Sequence, residues 1–187
     1  SLIKNPGGGL APTGGYIVGR KELVENAAMR LTTPGIGGEC GATLGNNRLL
    51  FQGLFMAPHI VAQAIKTMTF CSAMMKNIGF ESSPPPEEHR NDIIQMVALK
   101  NAENMKKFCR GVQAGAPVDS YVTPEPCQMP GYNVPVIMAA GAFVQGSSIE
   151  LSADGPMREP YTLYVQGGIT YESGKLGIMM AVNEMLS

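Results

Sequence analysis

The residue best suited to chemistry is Lys4, which ends a short apolar run and directly precedes a glycine-rich segment. A lysine amine partly withdrawn from water becomes nucleophilic and can attack an aldehyde. Ser1, three residues earlier, could hydrogen-bond a phosphate oxygen on the same ligand. The spacing Ser-x-x-Lys also occurs in serine acyl-transfer enzymes. The residues alone therefore leave three interpretations open: an aldehyde-binding lysine, an acyl-transfer pair, or a surface lysine.

Glycine runs follow Lys4 at 7–9, 14–15 and 35–38. Such loops expose backbone N–H groups that can bind phosphate, but they also serve as tight turns between packed elements. Neither the dinucleotide-binding pattern G-x-G-x-x-G nor the P-loop pattern is present. The sequence therefore predicts neither a nucleotide-binding fold nor a P-loop.

Two arginines have positions that could serve substrate binding. Arg48 ends a loop before a long apolar segment, and Arg158 precedes a predicted strand. Either guanidinium could clamp a substrate carboxylate through two parallel hydrogen bonds. The alternative for each is an ordinary surface or interface ion pair.

Other catalytic patterns are missing. None of the four cysteines forms a C-x-x-C pair, and His59 and His89 have no metal-ligand spacing to them, so we predict no metal site. No serine stands in G-x-S-x-G, which removes the basis for a hydrolase triad. The carboxylates of the C-terminal half are scattered, with no pair spaced for acid–base work: Glu125, Glu150, Asp154 and Glu159.

The composition is typical of a metabolic protein. The chain has 187 residues, 44% of them apolar, which fits one domain or a large piece of one. Its net charge of −1 excludes nucleic acid and anionic membranes as main partners, because both require clustered positive charge. The longest apolar helix candidate, 49–78, carries several polar side chains and so is not a membrane span. We expect a cytoplasmic location, since no signal-peptide pattern is present.

Periodicity and turn residues predict the elements that would position these groups. The predicted strands are 92–99, 136–144, 147–151, 161–166 and two short ones within 1–19. The predicted helices are 21–31, 49–78 with a kink or a second helix start at Pro58, 101–114 and 171–186. A proline-rich stretch at 82–88 reads as a linker. We therefore predict an α/β part at 1–80 and a small α+β domain with an antiparallel sheet at 81–187.

Long runs of the sequence resemble one enzyme family. They are SLIKNPGGG, APTGGYI, LGNNRLLFQGLFMAPH, VDSYVTPEP, MPGY, GAFVQGSSIELSADGPMREPY and QGGITYESGKLG. The chain resembles the methionine gamma-lyase-like or cystathionine beta-lyase-like proteins often labelled as aluminium-resistance proteins. The resemblance covers essentially the whole chain, but only the C-terminal half of such an enzyme.

The resemblance implies fold type I of the pyridoxal-phosphate enzymes, with 1–80 as the end of the large cofactor-binding domain. It implies a carbon–sulfur lyase that acts on a sulfur-containing amino acid by β- or γ-elimination, giving a thiol, ammonia and a keto acid. Lys4 would then be the Schiff-base lysine and general base, with pyridoxal 5'-phosphate as the cofactor and Ser1 near its phosphate.

The resemblance also suggests further contacts. Gly37 and Gly38 lie in a loop similar to one that reaches the partner subunit's cofactor phosphate in related dimers. Arg158 is the nearest candidate for the substrate carboxylate, with Arg48 as a second. This chain departs from the family pattern on the strand that usually bears the arginine, where it has Tyr164-Val165-Gln166.

Two descriptions of the molecule therefore compete. In the first, the chain is part of a lyase and needs the N-terminal half of the same enzyme, as a homodimer or homotetramer, to become active. In the second, it is a catalytically incomplete fragment that serves only as a dimerisation or binding module. We expect no nucleic acid and no membrane as partners in either case.

Overall fold

The computed structural model describes residues 2–39, 43–141 and 150–187. These ranges contain a 3-10 turn at Asn5–Gly7 and four α-helices: α1 (Lys21–Leu31), α2 (Asn47–Asn77), α3 (Ala102–Ala114) and α4 (Tyr171–Leu186). They also contain five strands: β1 (Ser82–Ser83), β2 (Ile94–Ala98), β3 (Val136–Ala140), β4 (Ser152–Pro156) and β5 (Thr162–Gln166).

The five strands form one sheet in the order β1-β2-β5-β4-β3. Every neighbouring pair is antiparallel. The prediction of a small domain with an antiparallel sheet is therefore confirmed.

The hydrophobic core lies on one face of this sheet. The second half of α2, together with α3 and α4, packs there, and their fully or nearly fully buried side chains are Met68, Cys71, Met75, Met105, Phe108, Cys109, Val112, Ile178, Ala181, Val182 and Met185. Burying each large apolar side chain contributes about 1.5–3 kcal/mol. The core thus draws on residues from both sides of the predicted boundary at 80/81.

Local sequence signals account for the starts of two helices. The Asn101 side chain accepts a hydrogen bond from the Asn104 amide at 2.8 Å and so caps α3. The Thr170 hydroxyl accepts from the Ser173 amide at the start of α4. Such caps satisfy amides that have no partner within the helix. Both helices lie where the sequence predicts them.

Helices α3 and α4 approach each other almost to backbone contact. A Cβ on Gly111 would lie 2.4 Å from the Ala181 Cα, and one on Gly115 would lie 2.8 Å from the Gly177 Cα. The two glycines therefore let α3 and α4 pack as one layer over the sheet.

The predicted strands at the N-terminus are wrong. Between residues 2 and 19 the structure has no strand, only the 3-10 turn and irregular backbone. The turn closes with Gly8 at a φ of 67°, a left-handed conformation that glycine adopts without strain. The glycines, rather than the apolar runs, decide the local structure here.

Two further predictions are refined. Helix α2 continues through Pro58 as a single helix. The strand predicted at 147–151 lies largely outside the described residues, and the observed strand β4 begins at Ser152. Within the described ranges, no helix combines the length and the apolar character needed to cross a membrane.

Candidate functional site

Lys4 lies in a tight turn that is hydrogen-bonded on both sides of it. The Leu2 amide donates to the Gly14 carbonyl at 2.9 Å, and the Gly7 amide donates to the Lys4 carbonyl at 2.8 Å. Lys4 itself is extended, with φ −105° and ψ −169°, and half-buried. Its backbone is thereby fixed, and the direction in which its side chain leaves the turn is fixed with it.

This turn is seated directly on helix α2. A Cβ on Gly53 of α2 would lie 2.2 Å from the Gly7 carbonyl oxygen, and a Cβ on Gly8 would lie 2.2 Å from the Gly53 carbonyl oxygen. Any side chain at either position would push the two backbones apart. The glycines therefore set the position of Lys4 relative to α2.

The sheet face opposite the core carries a polar and partly open row. Strand register aligns four residues across the sheet, in the order Met96, Tyr164, Asp154 and Met138. Their neighbours along each strand point to the core, so alternation places this row on the other face. Tyr164 is 45% exposed, while the other three are half-buried. We refer to this surface as the open face.

Lys4 acts electrostatically on the open face. Burial raises the pKa of Asp154 above its ordinary value, and the positive charge of Lys4 opposes that rise. Lys4 and Asp154 are far apart in the sequence, yet the fold brings the amine of one into the field of the other's carboxyl group. The charge of Lys4 thus affects a carboxyl group on the sheet.

Asn5 adds an unsatisfied polar group beside Lys4. Only 1% of Asn5 is exposed, and its Nδ2 has no hydrogen-bond partner. A buried amide donor without a partner costs about 1–3 kcal/mol. An acceptor supplied from outside the described residues would remove that cost.

A second polar cluster borders the open face at β2. The Arg90 guanidinium donates to the Gln95 Oε1 and, at 3.3 Å, to the Met68 carbonyl, while its Nε and Nη1 have no partner. A cavity of about 340 Å³ at this arginine is also lined by Met96 and Tyr164. Burial lowers the pKa of Arg90, but a guanidinium remains protonated in proteins. The cluster therefore contributes positive charge at the edge of the open face.

The glycine-loop and phosphate predictions find less support in the described residues. Ser1 lies outside them. Gly37 and Gly38 lie in a turn where no atom would come within 4 Å of an added Cβ. The assignment of these two glycines to phosphate binding stays a prediction.

The two predicted substrate-binding arginines are both exposed. Arg48 lies in the first turn of α2, and Arg158 lies in the turn between β4 and β5. The ion pairs found among the described residues include neither. Both side chains are therefore open to solvent, and their assignment stays a prediction.

Sequence reasoning missed Asp154, Tyr164 and Arg90. Asp154 lies outside the strand predicted at 147–151 but within the observed strand Ser152–Pro156. A strand at the correct position would have put Asp154 on the face opposite Ala153. Arg90 lies two residues beyond the predicted linker at 82–88, and no local sequence pattern marks it as partly buried.

The described residues offer no metal centre. They contain no group of three or more His, Cys, Asp or Glu side chains that could hold an ion. A cavity of about 550 Å³ lies between α3, α4 and the loop at 120–123, and Lys4 does not line it. Its larger volume does not by itself make it the chemical site.

Comparisons with known proteins agree with the family suggested by the sequence. The family described as methionine gamma-lyase matches residues 1–186. Protein YnbB of Bacillus subtilis is 50% identical over 186 residues, covering 100% of this chain and 44% of YnbB. A 33.9 kDa protein of Lactobacillus delbrueckii is 53% identical, covering 99% of this chain and 60% of that protein. The chain thus spans about half the length of these relatives.

Solved structures extend the similarity to three dimensions. A candidate cystathionine beta-lyase involved in aluminium resistance from Listeria monocytogenes has a TM-score of 0.91 and 53% identity, covering 98% of this chain and 45% of its own. A carbon–sulfur lyase involved in aluminium resistance from Clostridium novyi has a TM-score of 0.87 and 53% identity, and the match covers 97% of this chain and 42% of that protein.

The sequence match and the shared fold cover nearly every residue of the chain, including the Lys4 turn and the open face. The chain belongs to the methionine gamma-lyase family.

Proposed function

We propose that this chain forms the part of a pyridoxal-phosphate-dependent carbon–sulfur lyase that contains the cofactor-binding lysine. The observation that carries the proposal is Lys4, held on a rigid glycine turn within the field of Asp154 on the open face. Relatives with the same fold are named as carbon–sulfur or candidate cystathionine beta-lyases. In this proposal, 1–80 is the end of the large cofactor domain and 81–187 is the small domain.

The residues of the turn fit such a cofactor. Lys4 offers a primary amine for the cofactor aldehyde, and Asn5 offers an unsatisfied N–H donor for an oxygen atom. Ser1, with the backbone amides of Gly37 and Gly38, would bind phosphate oxygens. Pyridoxal phosphate, when bound, supplies an electron sink for the negative charge left when an amino acid loses its α-proton.

The chain's own residues would perform the remaining tasks. Lys4 Nζ would hold the cofactor covalently and later accept the α-proton of the substrate. Arg158 or Arg48 would bind the substrate carboxylate through two parallel hydrogen bonds. The net reaction is cleavage of a β- or γ-carbon–sulfur bond with release of a thiol, ammonia and a keto acid.

Reductive labelling tests the lysine assignment directly. The protein is incubated with pyridoxal phosphate, treated with borohydride and digested, and the labelled peptide is identified by mass spectrometry. We expect the label on the peptide that contains Lys4, and its loss in Lys4→Arg. Lys66→Arg is the matched control, since Lys66 lies over the Tyr171 ring, away from the turn. Label on other lysines with none on Lys4 would refute the assignment.

One observation favours a second description, that of a dimerisation or binding module. The first half of α2 exposes several large apolar side chains, namely Leu49, Phe51, Leu54 and Phe55. Such a surface needs a partner, and we propose the N-terminal half of the same enzyme or a second subunit. Light scattering of the chain alone shows whether it self-associates, and light scattering of the chain mixed with the N-terminal half shows whether it binds that half. Binding without lyase activity in the combined sample would favour the module.

A further inference from the structure

The stretch between the Lys4 turn and Gly53 has no buried residue among those that the structure describes. Every residue in 12–39 and 43–52 is exposed or only partly buried, whereas Ala11 and Gly53 on either side are buried. We refer to these two ranges as the arm. Large apolar side chains are exposed along its length, among them Tyr16, Val18, Leu31, Leu44 and Phe51. The arm thus contributes nothing to the hydrophobic core of this chain.

Helix α1, within the arm, carries an apolar stripe. None of its 11 residues is buried, although Leu23, Ala27 and Leu31 follow one another at intervals of four and so line one side of the helix. Glu25 lies on the opposite side and pairs with Lys21 at 3.6 Å. A helix shorter than about 12–15 residues is marginal in water unless its apolar side packs on something. The stripe therefore requires a contact that the described residues do not supply.

The relatives indicate where this contact comes from. The match to the Listeria monocytogenes structure covers 98% of this chain at a TM-score of 0.91, so the arm follows the same course there. The same match covers only 45% of the Listeria protein, so more than half of that protein lies outside it. In such a protein the remaining part belongs to the same polypeptide, and linkage raises its effective concentration to about the millimolar range. That concentration favours the linked half over a second copy as the partner of the arm.

We propose that the arm is the docking surface for the N-terminal half of the enzyme and that its helical state is stable only when that half is bound. The inference rests on the proposed function, and it goes further by choosing this half over a second subunit. The surface that meets the stripe of α1 would be apolar. Ordering the arm costs conformational entropy, and burial of its apolar side chains against that surface offsets the cost.

Hydrogen exchange followed by mass spectrometry tests the proposal on the chain alone and on the complete enzyme. In the chain alone, we expect the amides of α1 to exchange within about 10-fold of the rate of an unstructured peptide. The amides of α3, which packs in the core, serve as the protected reference. In the complete enzyme, α1 should exchange at least about 100-fold more slowly than in the chain alone.

Two results would overturn the proposal. One is equal exchange of α1 in the two samples, whether fast or slow. The other is protection of α1 in the chain alone that rises with protein concentration together with a dimer in light scattering, because a second copy would then be the partner.

A matched pair of variants separates docking from the stability of the chain. Leu31→Ser removes an apolar group from the stripe, and Glu25→Ser changes the opposite side of the same helix with a similar loss of helix propensity. Both side chains are exposed in the chain alone, so neither variant should change its unfolding in urea. In the complete enzyme, we expect Leu31→Ser to speed the exchange of α1 by at least about 10-fold more than Glu25→Ser does, the effect of losing one buried leucine.

Equal effects of the two variants would refute the docking of this side of α1. The exchange measurements need no cofactor, whereas borohydride labelling reports on Lys4. Failure of the inference and failure of the proposed function can therefore be distinguished.

Discussion

Replacing Gly53 by alanine would place a methyl group 2.2 Å from the Gly7 carbonyl oxygen. In an ordinary helix this change stabilises by about 1 kcal/mol, because alanine is the better helix former. Here the obstructing atom belongs to backbone and cannot rotate away, so the turn must move by about 1 Å to restore normal contact. Overpacking of this kind costs about 1–3 kcal/mol. We therefore expect Gly53→Ala to lower the free energy of unfolding by about 2 kcal/mol.

The same displacement carries Lys4 with it. A misplacement of about 1 Å can lower a catalysed rate by about 100-fold. We expect lyase turnover of the complete enzyme to fall by about that factor, while urea unfolding of the chain gives the stability change. Gly15→Ala is the matched control, because no atom lies within 4 Å of a Cβ at Gly15. A Gly53→Ala protein as stable and as active as the parent would refute the idea that this contact positions Lys4.

Three further predictions concern stability and reactivity. Gln113→Leu removes the buried amide that donates to the Ala140 carbonyl and accepts from the Ala140 N–H. The free energy of unfolding in urea should therefore fall by about 3 kcal/mol. A loss near zero would contradict this role. Burial raises the pKa of Cys71 to about 12. Iodoacetamide at about pH 8 should therefore modify the exposed Cys127 and leave Cys71 intact until the chain unfolds. Peptide mapping that finds Cys71 modified in the folded chain would contradict this. The pKa of Asp154 is raised in the folded chain, so the folded state binds more protons than the unfolded state, and stability falls as the pH rises from the ordinary aspartate pKa through the raised value. Asp154→Asn should remove this fall and be more stable than the parent at neutral pH, as thermal unfolding at several pH values would show.

Local signals were sufficient to predict much of the helical structure. The apolar period and the cap residues Asn101 and Thr170 place α3 and α4 close to their observed bounds. Helix α2 continues through Pro58 although proline removes one backbone hydrogen bond, because its apolar face packs on the turn and the core on either side of that position.

The sheet and the site depend on contacts that no local pattern contains. Strand β4 consists of Ser, Ala, Asp, Gly and Pro, residues with low strand propensity, and pairing with β3 and β5 makes it a strand. The glycine-rich surroundings of Lys4 make it a candidate, and only the family resemblance suggests its role. The position of Asp154 could not be predicted, since only the pairing of β4 with β3 and β5 places it on the open face.

Helix α2 has a mechanical consequence for the Lys4 turn. The helix supports the Lys4 turn at Gly53 and enters the hydrophobic core at Met68, about 22 Å further along at 1.5 Å per residue. It should therefore act as a strut that transmits displacement from the core to the Lys4 turn, with Pro58 as the weakest point between its two anchors. A change in packing beneath Met68 should therefore shift the Lys4 turn. The alignment of the site is in this sense a property of the core.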